Sequence, residues 1–199
     1  MTLYIASNNE HKIEEMQPLL GFAELKSPRD AGLTFDFPEN GDTFIANALG
    51  KARALYDLVG CPTLADDSGL CVDALGGKPG VFSARYGSAE GVPPLESSER
   101  NALLLEEMAG IKERACHFVC CMVLVLSTSR FVVIQETCEG ILLESPRGTG
   151  GFGYDPIVFL PAIGKSVAEL SVLEKDHISH RGRALTRLIP VLEGLETHP

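Results

Sequence analysis

Apolar residues along the chain follow two spacings. Short aliphatic runs bounded by Gly, Pro or acids predict strands, and apolar positions three and four apart predict helices. Leu3–Ser7 (LYIAS) predicts a short buried strand, and Ile13, Met16, Leu19 and Leu20 then recur at helical spacing. Ser7–Lys12 is therefore a strand-to-helix junction. A second helix is predicted over TFIANALGKARALYDLV, with Asp42 as its cap and Phe44, Ile45, Ala48, Leu49, Ala52, Leu55 and Tyr56 as its apolar stripe. PTLAD predicts a strand that DSG breaks, and LCVDAL a separate one.

ESSERNALLLEEMAG predicts a third helix ending at Gly110. ACHFVCCMVLVLS and FVVIQETCEG, separated by TSR, predict an antiparallel hairpin, and IVFLP a further strand. EKDHISHRGRALTRLIPVLEGL predicts one closing helix with Leu185, Leu188 and Ile189 inward and a proline near its end. Strands and helices alternate without a regular βαβ rhythm, and a hairpin lies in the middle. That order predicts an α/β protein with a mixed central β-sheet flanked by helices, in a single domain over residues 1–199.

Composition narrows the function. The formal net charge is −10, with 45% hydrophobic residues, and the sequence pI is about 4.9. Such a field repels polyanions, so no nucleic-acid partner is expected. A small phosphorylated ligand stays open, because a local basic cluster or a divalent cation acts within a Debye length. None of the six cysteines (Cys61, Cys71, Cys116, Cys120, Cys121, Cys138) forms a C-x-x-C pair. Reduced thiols in a cytosol are the expectation, and a structural zinc site is not. The N-terminus lacks a signal peptide's basic start and long apolar stretch. The longest apolar run, near Val119–Leu126, is too short to span a bilayer. A cytoplasmic protein without a membrane partner is expected.

Gly148-x-Gly150-x-x-Gly153 has the spelling of a dinucleotide-binding loop. That loop must open a helix, whereas this one runs into Pro156 and a strand, and no Gly-Lys-Ser/Thr follows. Two readings stay open. The glycines let backbone amides approach a ligand while Phe152 offers a stacking face and Asp155 an anchor, or the segment is a tight turn with a core Phe.

Glu39 precedes the second helix, and Asp66 and Asp67 end a strand. Mg²⁺ takes few carboxylates plus phosphate oxygens and water, and two or three acids from separate segments suit it. If both aspartates are extended they point to opposite faces, and one alone serves a cleft. The alternative for Asp-Asp-Ser-Gly is an Asx turn at a strand exit. Lys12 follows Ser7, Asn8 and Asn9 in the first turn of a helix, which makes an anion site or an ordinary Asn cap. Lys175, His177, His180 and Arg181 cluster near the C-terminus. Lys175 and Arg181 suit a phosphate or a base carbonyl, or they form a solvated basic face. Arg85 in SARYG suits pairing with an acid.

Taken in order, SNNEHK, PENGDTFIANALGKA, ADDSGLCVDALGGKPGVFSARYG, GTGGFGYDPIVF and SHRGRAL resemble the inosine triphosphate pyrophosphatase family over nearly the whole chain. The resemblance implies an elongated mixed α/β fold with two lobes around a substrate cleft, a homodimer and Mg²⁺ dependence. It implies hydrolysis of inosine and xanthosine triphosphates and their deoxy forms to the monophosphate and pyrophosphate. By the same resemblance, Ser7, Asn8, Asn9, Glu10, His11 and Lys12 take the phosphates, Glu39 and Asp67 the metal, and Asp67 is the general base. Ser68, Phe152, Gly153, Tyr154, Asp155, Lys175, His180 and Arg181 fall on the substrate positions. A nearby Asp66 is expected to oppose ionisation of Asp67. The family's usual Thr-Gly-Asn is Ser7-Asn8-Asn9 here, and Asn tolerates positive φ well enough to keep the turn. A pyrophosphatase for pyrimidine or modified triphosphates, or a nucleotide sensor without turnover, is the competing expectation.

Overall fold

The computed structural model of the protein describes residues 1–88 and 91–197. It is a mixed α/β fold whose helices flank a sheet, as the pattern predicts. The elements are β1 (Thr2–Ile5), α1 (Glu10–Met16), β2 (Glu24–Lys26), α2 (Phe44–Val59), β3 (Thr63–Val72), β4 (Lys78–Pro79), α3 (Ser97–Glu107), β5 (Ala115–Val125), β6 (Phe131–Leu142), β7 (Val158–Leu160), β8 (Lys165–Ser166), α4 (Val172–Ile178) and α5 (His180–Thr197). Two compact units are formed: one from Met1–Asp67, Cys120–Glu136 and α5, the other from Ser68–Val119 and Thr137–Ser179. Among the described residues, no helix is long and apolar enough to cross a membrane.

In the first unit the strand order is β2-β1-β3-β5-β6. β1 runs parallel to both neighbours, with Tyr4 opposite Lys26 in β2 and opposite Thr63 in β3. The β5–β6 hairpin closes through Leu126 N to Arg130 O at 2.9 Å. Both faces of this sheet are covered. Leu3, Ile5, Leu64, Cys120, Met122 and Leu124 pack with Met16, Leu185, Leu188 and Leu192. Ala6, Ala65, Cys121, Val123 and Val125 pack with Ala48, Ala52 and Leu55 of α2. Alternate β5 residues thus serve opposite cores, which is why its sequence is continuously apolar. Each fully buried Leu or Met contributes about 1.5–3 kcal/mol.

In the second unit β4 pairs antiparallel with β3, β7 with β6 (Ile141 opposite Phe159), and β8 with β7. Its core holds Leu70, Val72, Leu104, Phe118, Tyr154, Ile157 and Val158. All six cysteines are free thiols, five of them buried.

Four expectations are corrected. The cap of α2 is Thr43, whose hydroxyl accepts from Ala46 N, and not Asp42. Ile45 lies outside the stripe and is 42% exposed, while Asn47 and Lys51 lie on the buried face. DSG does not break a strand: β3 runs without interruption through Asp66, Asp67, Ser68 and Gly69 to Val72. Gly69 is there for close approach, since a Cβ would lie 2.3 Å from Gly80 O and 2.4 Å from Ser83 Oγ. The closing helix is two helices. Ser179 is extended (φ −65°, ψ 156°) and separates α4, begun by a Ser171–Glu174 capping box, from α5. Of the residues expected inward on α5, Leu185 and Leu188 are buried, whereas Ile189 is half-buried.

Candidate active site

The first unit gathers the N-terminal loop, Glu39 and both aspartates. After β1 the chain turns through Ser7–Asn9 into α1. Ser7 Oγ accepts from Asn9 N at 3.1 Å, and the Asn9 side chain caps the helix by accepting from Lys12 N at 3.4 Å. Asn8 Nδ2 donates to Phe35 O at 2.7 Å. No described non-glycine residue has positive φ, so Asn8 fits this turn by that tether and not by a left-handed backbone. Glu10 and His11 are exposed on the first turn of α1, with His11 3.5 Å from Glu14. A cavity of about 270 Å³ opens beside the loop, lined among others by Ser7, Asn8, Glu10, Lys26, Ser27 and Arg29.

The pleat of β3 sends Asp66 and Asp67 to opposite faces. Asp66 is beneath α1 and α5: its Oδ1 accepts from Lys12 Nζ at 2.8 Å and its Oδ2 from Arg181 Nε at 2.7 Å. Cys120 Sγ lies 3.5 Å from Oδ2. Arg181, only 2% exposed, also pairs with Glu15. Burial alone would raise the Asp66 carboxyl, but Arg181 and Lys12 outweigh it and hold the group well below the usual carboxylate range.

Asp67 faces α2. Its Oδ2 accepts from Asn47 Nδ2 at 3.0 Å, and its Oδ1 lies 3.9 Å from Lys51 Nζ. Lys51 also donates to Glu39 and, at 2.8 Å, to the Asp66 carbonyl. Burial raises the Asp67 carboxyl, with Glu39 adding to the rise and Lys51 opposing it. The neighbouring acid that acts on Asp67 is therefore Glu39. Asp66, expected in that role, is screened on the far face by two cations.

The second unit holds the glycine loop. Loop and β7 are joined by a 3₁₀ turn, Asp155–Ile157, so no helix follows and the dinucleotide reading is excluded. Asp155 is buried, and its Oδ2 accepts from Phe152 N at 2.9 Å and Lys175 Nζ at 2.8 Å. A Cβ at Gly151 would sit 2.1 Å from that oxygen. Lys175 Nζ stands 4.8 Å from the centre of the half-buried Phe152 ring. Gly153 O accepts from Asn101 at 3.0 Å. Tyr154 is core: its ring is 5% exposed and its hydroxyl donates to Ser83 O at 2.9 Å. Ser68 is half-buried in β3. His177 is on the last turn of α4, its Nδ1 2.8 Å from Leu173 O, and Arg85 stacks on Phe82 at 4.9 Å.

The sequence of residues 3–191 matches the Ham1 family. The chain belongs to that family. A dITP/XTP pyrophosphatase of Treponema denticola is 50% identical over 194 residues, covering 98% of this chain and 100% of the relative. Another, from Nitrosomonas europaea, is 44% identical over 201 residues and covers 99% and 97%. Among solved structures, a HAM1 protein from Coxiella burnetii superposes with a TM-score of 0.88 at 38% identity, covering 98% of this chain and 99% of that one. A nucleoside-triphosphatase / dITP/XTP pyrophosphatase from Mycobacterium abscessus gives 0.76 at 39%, covering 96% and 100%. These names bear out the resemblance stated above.

Within this Ham1 family chain, two residues at the carboxylates escape sequence reading: Asn47 and Lys51. Their signal is the spacing four apart on an otherwise apolar helix face, where a polar residue needs a buried partner. Among the described residues no group of three His, Cys, Asp or Glu forms a metal cluster. Two carboxylates, Glu39 and Asp67, instead converge on the single ammonium of Lys51. That surplus of oxygen charge over cation fits a hard divalent ion which draws its remaining ligands from phosphate and water.

Proposed function

We propose that this chain hydrolyses ITP, dITP and XTP to the nucleoside monophosphate and pyrophosphate, removing non-standard purines from the nucleotide pool. The observation that carries the reading is the convergence of Glu39 and the buried Asp67 on the cation position that Lys51 occupies. It stands in a family whose relatives bear the name dITP/XTP pyrophosphatase.

Glu39 and Asp67 would hold Mg²⁺, which offsets polyphosphate charge when bound. Asp67 would take a proton from water as the general base. The water oxygen then bonds to the α-phosphorus as the bond from that phosphorus to the α–β bridging oxygen breaks. The electron pair leaves with pyrophosphate, and the proton stays on the Asp67 carboxylate. Lys12, held in place by Asp66, would meet phosphate oxygens together with Ser7 and the backbone amides that open α1. Phe152, backed by Lys175 and Asp155, would stack on the base. Donors at the start of α5, His180 and Arg181, would reward a 6-oxo acceptor. The 6-amino group of adenine would meet them with a donor in place of an acceptor.

The test is a panel of ITP, dITP, XTP, ATP, GTP and UTP with Mg²⁺, assayed for pyrophosphate and orthophosphate separately. Pyrophosphate from the first three nucleotides is expected. Orthophosphate as first product, or equal rates on UTP, removes the reading. We further infer a homodimer working in the cytosol, where the free thiols stay reduced. Sedimentation at the monomer mass would remove the dimer.

A further inference from the structure

Asn47 lies on the buried face of α2, 1% exposed, and both ends of its amide are engaged. Nδ2 donates to Asp67 Oδ2 at 3.0 Å, and Oδ1 accepts from Gly41 N at 2.8 Å. These partners sit on the two segments that carry the carboxylates: Gly41 is two residues beyond Glu39, and Asp67 belongs to β3. The contact is made to measure at Gly41 as well. A Cβ there would lie 2.7 Å from Asn47 Oδ1 and 2.9 Å from Ala46 Cβ, so the loop can close on the amide only as glycine. One helical turn on, Lys51 bridges Glu39 and the Asp66 carbonyl.

We propose that Asn47 is a positioning residue for the reaction. It ties the Glu39 loop to Asp67 and occupies Asp67 Oδ2, so that Oδ1 is the oxygen presented to the divalent cation and the attacking water. The inference rests on the assignment of Glu39 and Asp67 given above. The residue type follows from the chemistry. The amide donates to a carboxylate and accepts from a backbone N–H at once, which Asp cannot do without a donor and Leu cannot do at all. Outer partners of metal-binding carboxylates typically change metal affinity or activity by about 10–100-fold when removed.

The test uses Asn47→Leu, Gly41→Ala and the double variant, with Mn²⁺ alone as probe, followed by its paramagnetic resonance signal, and with dITP kinetics alongside. Asn47→Leu is expected to weaken Mn²⁺ binding and lower kcat, each by about 10–100-fold, while KM for dITP moves by only a few-fold. Gly41→Ala should move both in the same direction. The double variant should weaken Mn²⁺ binding little beyond Asn47→Leu, because the Gly41–Asn47 bond is already absent there, and what remains is the clash with Ala46 Cβ. A lowered Tm with Mn²⁺ affinity and kcat unchanged would make Asn47 merely structural and overturns the proposal. If Asn47→Leu does not fold, Gly41→Ala decides: unaltered Mn²⁺ affinity in that variant overturns it equally. A wild-type chain that binds Mn²⁺ but releases no pyrophosphate sinks the proposed activity instead, and the Mn²⁺ shift still judges Asn47.

Discussion

Asp66 and Asp67 are consecutive residues of one strand, yet their carboxylates face opposite cores and are pushed in opposite directions. Asp66 meets two cations and is held ionised. Asp67, buried beside Glu39, is raised toward protonation. The separation comes from the two-residue period of β3, which gives each acid its own helix: α1 and α5 supply Lys12 and Arg181, and α2 supplies Asn47 and Lys51. One acid is thereby suited to hold structure and the other to move a proton.

Asp67→Asn should separate those tasks. Pyrophosphate release from dITP is expected to fall by about 10²–10⁴-fold, the range for loss of a general base, with KM changed by only a few-fold. Burial disfavours the Asp67 anion in the folded state, so the neutral amide should leave the thermal midpoint near pH 7 unchanged or raise it. Near-normal turnover in this variant would dismiss Asp67 as the base.

Asp66→Asn should instead cost stability, because Lys12 loses its carboxylate partner and Arg181 loses Asp66 while keeping Glu15. Breaking a buried ion pair typically costs about 3–5 kcal/mol. The pH dependence has a definite sign. The folded carboxyl is depressed below its ordinary value, so its contribution is complete above about pH 5 and is lost as pH falls below about 4, the unfolded pKa. Urea midpoints of wild type and variant should therefore differ by a constant amount between pH 5 and 8 and converge in acid. A gap that widens on acidification would contradict the assignment.

Gly69→Ala tests why β3 passes straight through a segment that looks like a turn. The new methyl would meet Gly80 O at 2.3 Å and crowd Ser83 Oγ, which accepts from Leu70 N. Overpacking of this kind costs about 1–3 kcal/mol. Gly153→Ala has open space around its Cβ and pays only for φ 61°, about 1–2 kcal/mol. Chemical denaturation of both variants should rank Gly69→Ala as the less stable, and the opposite ranking would favour a loop reading at Gly69.

Much of this architecture was legible because its causes are local. The unbroken apolar run of β5 marks a strand covered on both faces, and the stripe on α2 marks a helix on one of them. Glu39, Asp67 and Lys12 were readable as a set through the family resemblance, and all three lie in one unit. Their partners were not, because those depend on contacts distant in sequence: Lys12 finds Asp66 across 54 positions and Arg181 finds it across 115. Turn chemistry misled at Asp-Asp-Ser-Gly, where tertiary packing on Gly69 overrode local preference. The break at Ser179 was missed although a serine before His-Arg-Gly carries a helix-start signal. Tyr154 shares a glycine-loop motif with Phe152 and Asp155, but spacing alone cannot separate a core ring from an accessible one.

Phe152 is the remaining test, because its ring is braced from behind. Asp155 accepts from both Phe152 N and Lys175 Nζ, and Lys175 in turn stands over the ring. Removing the ring therefore removes a stacking face and loosens the ammonium together. If the ring stacks on the base, Phe152→Ala should raise KM for ITP, dITP and XTP alike by about 10-fold or more, matching roughly 1–3 kcal/mol per stacked base, with kcat within a few-fold. Phe152→Tyr should restore most of the loss, because a flat face is retained, whereas Phe152→Leu should not, although it fills similar space. Equal KM values for Leu, Tyr and Phe at this position would show that the ring only packs against Lys175, and the base would have to be sought elsewhere.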